Sequence, residues 1–143
     1  MQVVKSFFLT THLYKSLSMA EKLQFEVGQE WGYQTRPHEM ESTFIITKID
    51  SGGPKGKIVH IYIKGLQMKN KLSTTGFNDH IIHLPCSEKA ILSSGIKLKN
   101  ELVPLPNFKE GYLSWLKGFE QNKAGVFKLP LAESIAFIET MFQ

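Results

Sequence analysis

Val27-Gly-Gln-Glu-Trp-Gly-Tyr-Gln-Thr-Arg36, Ser42-Thr-Phe-Ile-Ile-Thr-Lys-Ile-Asp50 and Lys57-Ile-Val-His-Ile-Tyr-Ile-Lys-Gly-Leu66 are three runs rich in β-branched and aromatic residues. Pro37 to Glu41 and Ser51-Gly-Gly-Pro-Lys-Gly56 break them with turn-forming residues. Extended runs joined by short turns make a β-meander, the seed of a curled, mostly antiparallel sheet that becomes barrel-like at its extreme.

Downstream the pattern changes. Gln67 to Asn78 mixes Lys, Asn, Ser, Thr and Gly and reads as a long loop, and His80-Ile-Ile-His-Leu84 reads as a short strand. Pro85-Cys-Ser-Glu88 opens a helix, with Ser87 as N-cap and Gly95 as its stop. Ile96 to Lys99 alternates like a strand. Phe108, Tyr112, Trp115, Leu116 and Phe119 form one helical stripe, the kind of face that seals a sheet. Ala124 to Leu129 reads as a returning strand. Pro130 opens a last helix whose Leu131, Ile135, Ile138 and Phe142 form a second stripe. The expected class is α+β, with C-terminal helices covering one side of the sheet.

The length of 143 residues suits one domain. Residues 23–143 are expected to form it and residues 1–22 to be an N-terminal extension, since Met19-Ala-Glu-Lys22 looks like an ordinary start. No uncharged apolar run is long enough to cross a bilayer. The single cysteine makes no internal disulfide, which points to a cytoplasmic protein. The net charge is +4, and no acid lies between Asp50 and Asp79 while Lys55, Lys57, Lys64, Lys69 and Lys71 do. Arg36 is the only arginine. Without the bidentate guanidinium fork, that basic interval reads as a solvated face before it reads as a nucleic-acid surface.

Chemistry has few anchors. His80, His83 and Cys86 invite a metal reading, but on a strand His80 and His83, three apart, point to opposite faces, His80 and Cys86 lie roughly 20 Å apart along an extended chain, and no Cys-x-x-Cys or His-Glu-x-x-His accompanies them. No metal or cofactor is expected. Cys86 is the sharper candidate: a thiol beside a helix start, with His83 or His60 as base and Asp79 orienting an imidazole. The plainer reading is a small apolar plug. Trp31 and Tyr33 share one face of the first run, and His60, Tyr62 and Lys64 share one face of the third. With Arg36 they make a candidate binding surface, and Val59, Ile61 and Ile63 the opposite, core-facing set. His38, Glu39 and Glu41 read as solvated loop residues.

Val27 to Pro37, Gly56-Lys-Ile-Val-His60, Glu110-Gly-Tyr-x-x-Trp115 and Lys123-Ala-Gly-Val-Phe127 together resemble a small bacterial α+β domain family without an established activity, over about residues 24–142. The resemblance implies a free-standing bacterial cytosolic domain and carries over no catalytic residue. The expected function is therefore a non-enzymatic protein- or peptide-binding module, inhibitor- or immunity-like or an accessory subunit, with self-association allowed. A small cysteine-dependent enzyme using Cys86 and His83 stands second, and a weak nucleic-acid binder third.

Overall fold

The computed structural model describes residues 24–51 and 56–143; the expected extension at 1–22 lies outside them. Among the described residues five strands form one sheet: β1 (Glu30–Gly32), β2 (Thr43–Asp50), β3 (Ile58–Lys69), β4 (Phe77–Ser87) and β5 (Lys97–Asn100). The order across it is β4-β3-β2-β1-β5, and every neighbouring pair is antiparallel. The sheet stays open, with β4 and β5 at its two edges. Three helices follow the meander: α1 (Glu88–Leu92), α2 (Lys109–Glu120) and α3 (Leu131–Thr140). The class is α+β.

The inner face of the sheet carries the core. Trp31, Phe44, Ile46, Val59, Ile61, Ile63, Leu84 and Cys86 project there, and Ala90, Ile91, Leu131 and Ile135 of α1 and α3 cover them. At roughly 25 cal/mol per Å² of buried apolar surface, this face supplies most of the stabilisation. The Ser87 hydroxyl accepts the Ala90 amide at 3.1 Å, which caps α1 as the sequence predicts.

The outer face differs from expectation. The helices were expected on one side, yet α2 packs its aromatic stripe on the other, over β3 and β4: Tyr112 and Trp115 both contact His60, at ring-centroid distances of 4.8 Å. The stripe does seal a sheet surface, but one that holds polar groups.

Two irregularities of pairing decide which side chains meet there. Ile46 faces Ile61 and Lys48 faces His60, so Thr47 is one residue too many on β2. Such a bulge reverses the alternation beyond it. Phe44 and Ile46 point inward, and Lys48 and Asp50 then point outward, beside His60. The Thr47 hydroxyl donates to the His60 carbonyl at 3.2 Å. On β4, Ile81 faces Ile63 and Leu84 faces Ile61, leaving Ile82 and His83 opposite Tyr62 alone. Strict alternation therefore fails for His80 and His83. Both lie on the outer face, His80 stacked on Tyr62 and His83 on His60.

Other expectations shift as well. Gln67 to Asn78 is not one long loop: β3 and β4 pair out to Lys69 and Phe77, and the remaining turn is tied by Asn70, which accepts the Leu72 amide and donates to Asn78. The first run contributes only three strand residues, because Val27 and Gly28 form a turn with Gly28 at φ 96°. Ala124 to Leu129 makes a single bridge, Phe127 to Cys86.

Candidate functional site

A connected group of polar side chains lies under α2. His60 is fully buried on β3, and both its ring nitrogens are engaged. Nε2 lies 2.9 Å from Asp50 Oδ2, and Nδ1 lies 2.8 Å from His83 Nε2. The Tyr112 hydroxyl donates to both Asp50 oxygens, at 3.0 and 2.9 Å. Lys48 places Nζ 5.4 Å from the Tyr112 ring centroid. Trp115 closes the side and donates its indole N–H to the Gly125 carbonyl at 2.8 Å.

Donor and acceptor chemistry orders the protons. A carboxylate only accepts, so His60 carries its hydrogen on Nε2; its bare Nδ1 then accepts from His83 Nε2–H. The relay Asp50–His60–His83 thus leaves His83 Nδ1 as the basic nitrogen. That nitrogen has no protein partner among the described residues, and no buried side-chain nitrogen or oxygen is left unpaired, so it touches solvent. Burial pushes the His60 pKa down, against the opposing pull of Asp50. Burial and the neighbouring His60 push His83 down to about 4. Tyr112 is pushed up to about 12 by burial and by the Asp50 carboxylate. Near neutral pH the group therefore holds two neutral imidazoles and a neutral phenol around one carboxylate. Chemically it is a polarised acceptor, able to take a proton at His83 Nδ1 at acidic pH. Among the described residues no set of three His, Cys, Asp or Glu could hold a metal ion.

The structure separates the thiol from this group. Cys86 is fully buried, points to the inner face opposite Val59, and burial pushes its pKa far up. His83 looks the other way. The remaining candidates scatter. Trp31 and Tyr33 belong to the core; Trp31 packs edge-on against Phe25, and the Tyr33 hydroxyl is 2.8 Å from that of Ser42. Arg36 clamps Glu39 and Glu139, whose carboxylates also accept the Gln67 and Lys69 amides, so it ties α3 to β3. Lys64 pairs with Glu30 at 2.9 Å, and Glu30 accepts from Thr43 and Asn100 as well. Of the expected binding set, His60, Tyr62 and Lys64 share the outer face.

Asp50, Tyr112, Trp115 and Lys48 went unnoticed as site residues. Tyr112 and Trp115 stand out in the sequence as members of an apolar stripe and of a family motif, neither of which marks a site, and Asp50 reaches His60 only because of the bulge at Thr47.

Beyond α2 the outer face opens into a groove of about 430 Å³ over β1, β2 and β5. Gly32 forms part of its lining, with Lys97, Lys99, Thr43 and Glu41 around it. Lys97 and Lys99 are exposed and make no ion pair among the described residues. No helix of the described chain is long and apolar enough to cross a membrane. In comparisons with known proteins, the chain matches no family model, no curated protein and no solved structure.

Proposed function

We propose that this chain is a non-enzymatic protein- or peptide-binding module that takes an extended segment of its partner along the free edge of β5. One observation carries the reading. β5 is hydrogen-bonded on one side only among the described residues, and it borders a groove whose β5 wall is Lys97 and Lys99 and whose far wall includes Glu41 and the Lys64-paired Glu30. An unpaired edge offers main-chain donors and acceptors to an added strand, and alternate side chains then supply selectivity. Lys97 and Lys99 select a segment with acidic residues at alternate positions and repel unselected basic strands.

Two further parts of the proposal rest on the sequence. The setting is cytoplasmic, on the strength of the single cysteine. Kinship with the small bacterial domain family rests on the motifs around His60, Tyr112, Trp115 and Gly125, which converge in space around the relay. The relay itself serves to fasten α2 to the sheet. Neither the groove nor the other large cavity is lined by Asp50, His60 or His83.

Panning the purified chain against a displayed library of random peptides tests the reading. Enriched acidic peptides are expected, with at least tenfold weaker binding to the K97E/K99E variant. Both lysines are exposed, so that double variant keeps its stability to within about 1 kcal/mol. A dimer sealed through β5 would replace the partner by a second copy. Failure to enrich any sequence that depends on these lysines would count against the proposal.

A further inference from the structure

A second cavity, of about 340 Å³, lies between the end of α2, the start of β3 and the segment leading to α3. It shares no lining residue with the groove beside β5. Its walls are of two kinds. Ile58, Phe119 and Val126 give an apolar interior, while Lys57 and Lys128 supply two cations. Among the described residues the lining contains no carboxylate, and neither lysine makes an ion pair. Ser87 adds a hydroxyl that accepts the Ala90 amide and keeps its own hydrogen to donate.

We propose that this cavity binds a small amphipathic carboxylate, with an apolar body against Phe119 and Val126 and its anionic group between Lys57 and Lys128. The volume sits at the lower end of the roughly 300–1,000 Å³ found for small-molecule sites, so it suits one ring on a short chain. An apolar body gains by leaving water, and the carboxylate gains charge-assisted hydrogen bonds where no acid competes. A neutral analogue of the same shape loses the second gain and keeps the first. The site also has a built-in reporter. Phe119 stacks on Trp115 at 4.6 Å, and Trp115 donates to the carbonyl of Gly125, which lines the cavity. An occupant therefore perturbs the Trp115 indole, whereas the other tryptophan, Trp31, is buried in the core.

The test uses the full chain labelled with ¹⁵N and titrated with 3-phenylpropanoate, octanoate and 3-phenylpropanamide. At least one carboxylate is expected to give saturable shifts at Gly125, Val126, Lys128 and the Trp115 indole N–H, and the amide to bind at least tenfold more weakly than 3-phenylpropanoate. K57E/K128E should weaken the carboxylate at least tenfold. Gly125→Leu should abolish binding by filling the cavity, because no atom lies within 4 Å of a Cβ built at that position. Both variants are read only alongside a dispersed amide spectrum, which shows that they fold. No saturable shift with either carboxylate, an amide that binds as well as the acid, or undiminished binding by folded Gly125→Leu would each overturn the proposal. None of these outcomes bears on peptide binding at β5.

Discussion

His60 is the residue on which the local chemistry turns. A fully buried imidazole with both nitrogens hydrogen-bonded has lost no partners on folding, but it has lost access to the charged form. His83 is only half-buried and keeps one ring nitrogen free of protein partners among the described residues, yet burial and the neighbouring His60 disfavour its charged form as well. Both histidines have folded-state pKa values below the roughly 6.5 of an unfolded chain. Between about pH 6.5 and 4 the unfolded state consequently binds more protons than the folded one, and stability rises with pH across that window. The contribution is present in full above pH 6.5 and is lost as pH falls toward 4. Urea midpoints measured from pH 7 to 4.5 should fall steadily for the natural chain and fall less for His83→Gln, which has no proton to take up. Equal slopes for the two would contradict this account of the pair. Asp50→Ala removes the acceptor of both His60 and Tyr112 and leaves a buried N–H unpaired, a loss of about 1–3 kcal/mol by chemical denaturation. Some of this was legible in advance: the plainer reading of Cys86 was a small apolar plug, and its side chain is fully buried. Alternation, by contrast, misplaces His80 and His83, which share the outer face because β4 carries an extra residue opposite Tyr62. That Asp50 reaches His60 was not legible, because it depends on how β2 registers against β3.

The elements show the same division. The period of α2 and α3 is written in Phe108, Tyr112, Trp115 and Phe119, and in Leu131, Ile135 and Ile138, and both helices form where those stripes predict. Which face of the sheet each helix covers is not a property of either stripe. It follows from connection lengths and from the sheet presenting two surfaces that need cover. α3 meets aliphatic side chains, and Ile135→Ala should cost about 2–5 kcal/mol as a buried cavity opens. Ser87→Ala should cost about 1 kcal/mol through the lost cap of α1. The bulge at Thr47 allows a sharper test. Deleting Thr47 makes Ile46 and Lys48 consecutive, so simple alternation keeps Phe44, Ile46 and Ile49 inward and Lys48 and Asp50 outward, in their present pairing with β3. The deletion is therefore expected to keep a cooperative transition and to lose about 1 kcal/mol with the hydroxyl bond to the His60 carbonyl, whereas Thr47→Ser, which keeps the donor and the residue count, should cost no more than about 1.5 kcal/mol. A deletion variant without a cooperative transition would contradict this reading of the bulge.

At the scale of the whole molecule, the sheet is covered unevenly. α1 and α3 close its inner face, and α2 closes the outer face over β3 and β4. Among the described residues, the outer face of β1, β2 and β5 is left as a groove ending at an unpaired edge. The α+β class and the antiparallel meander were readable from β-branched runs and turn residues. The uneven cover was not, since it arises from the order β4-β3-β2-β1-β5, which brings the late strand β5 beside the early strand β1. Amide hydrogen exchange of the full chain, with and without a peptide selected by panning, tests the binding proposal most directly. Added protection concentrated in Lys97–Asn100, the strand at the groove's border, is the predicted result. Protection confined to α2 and β4, with the amides of β5 exchanging as fast as before, would contradict it.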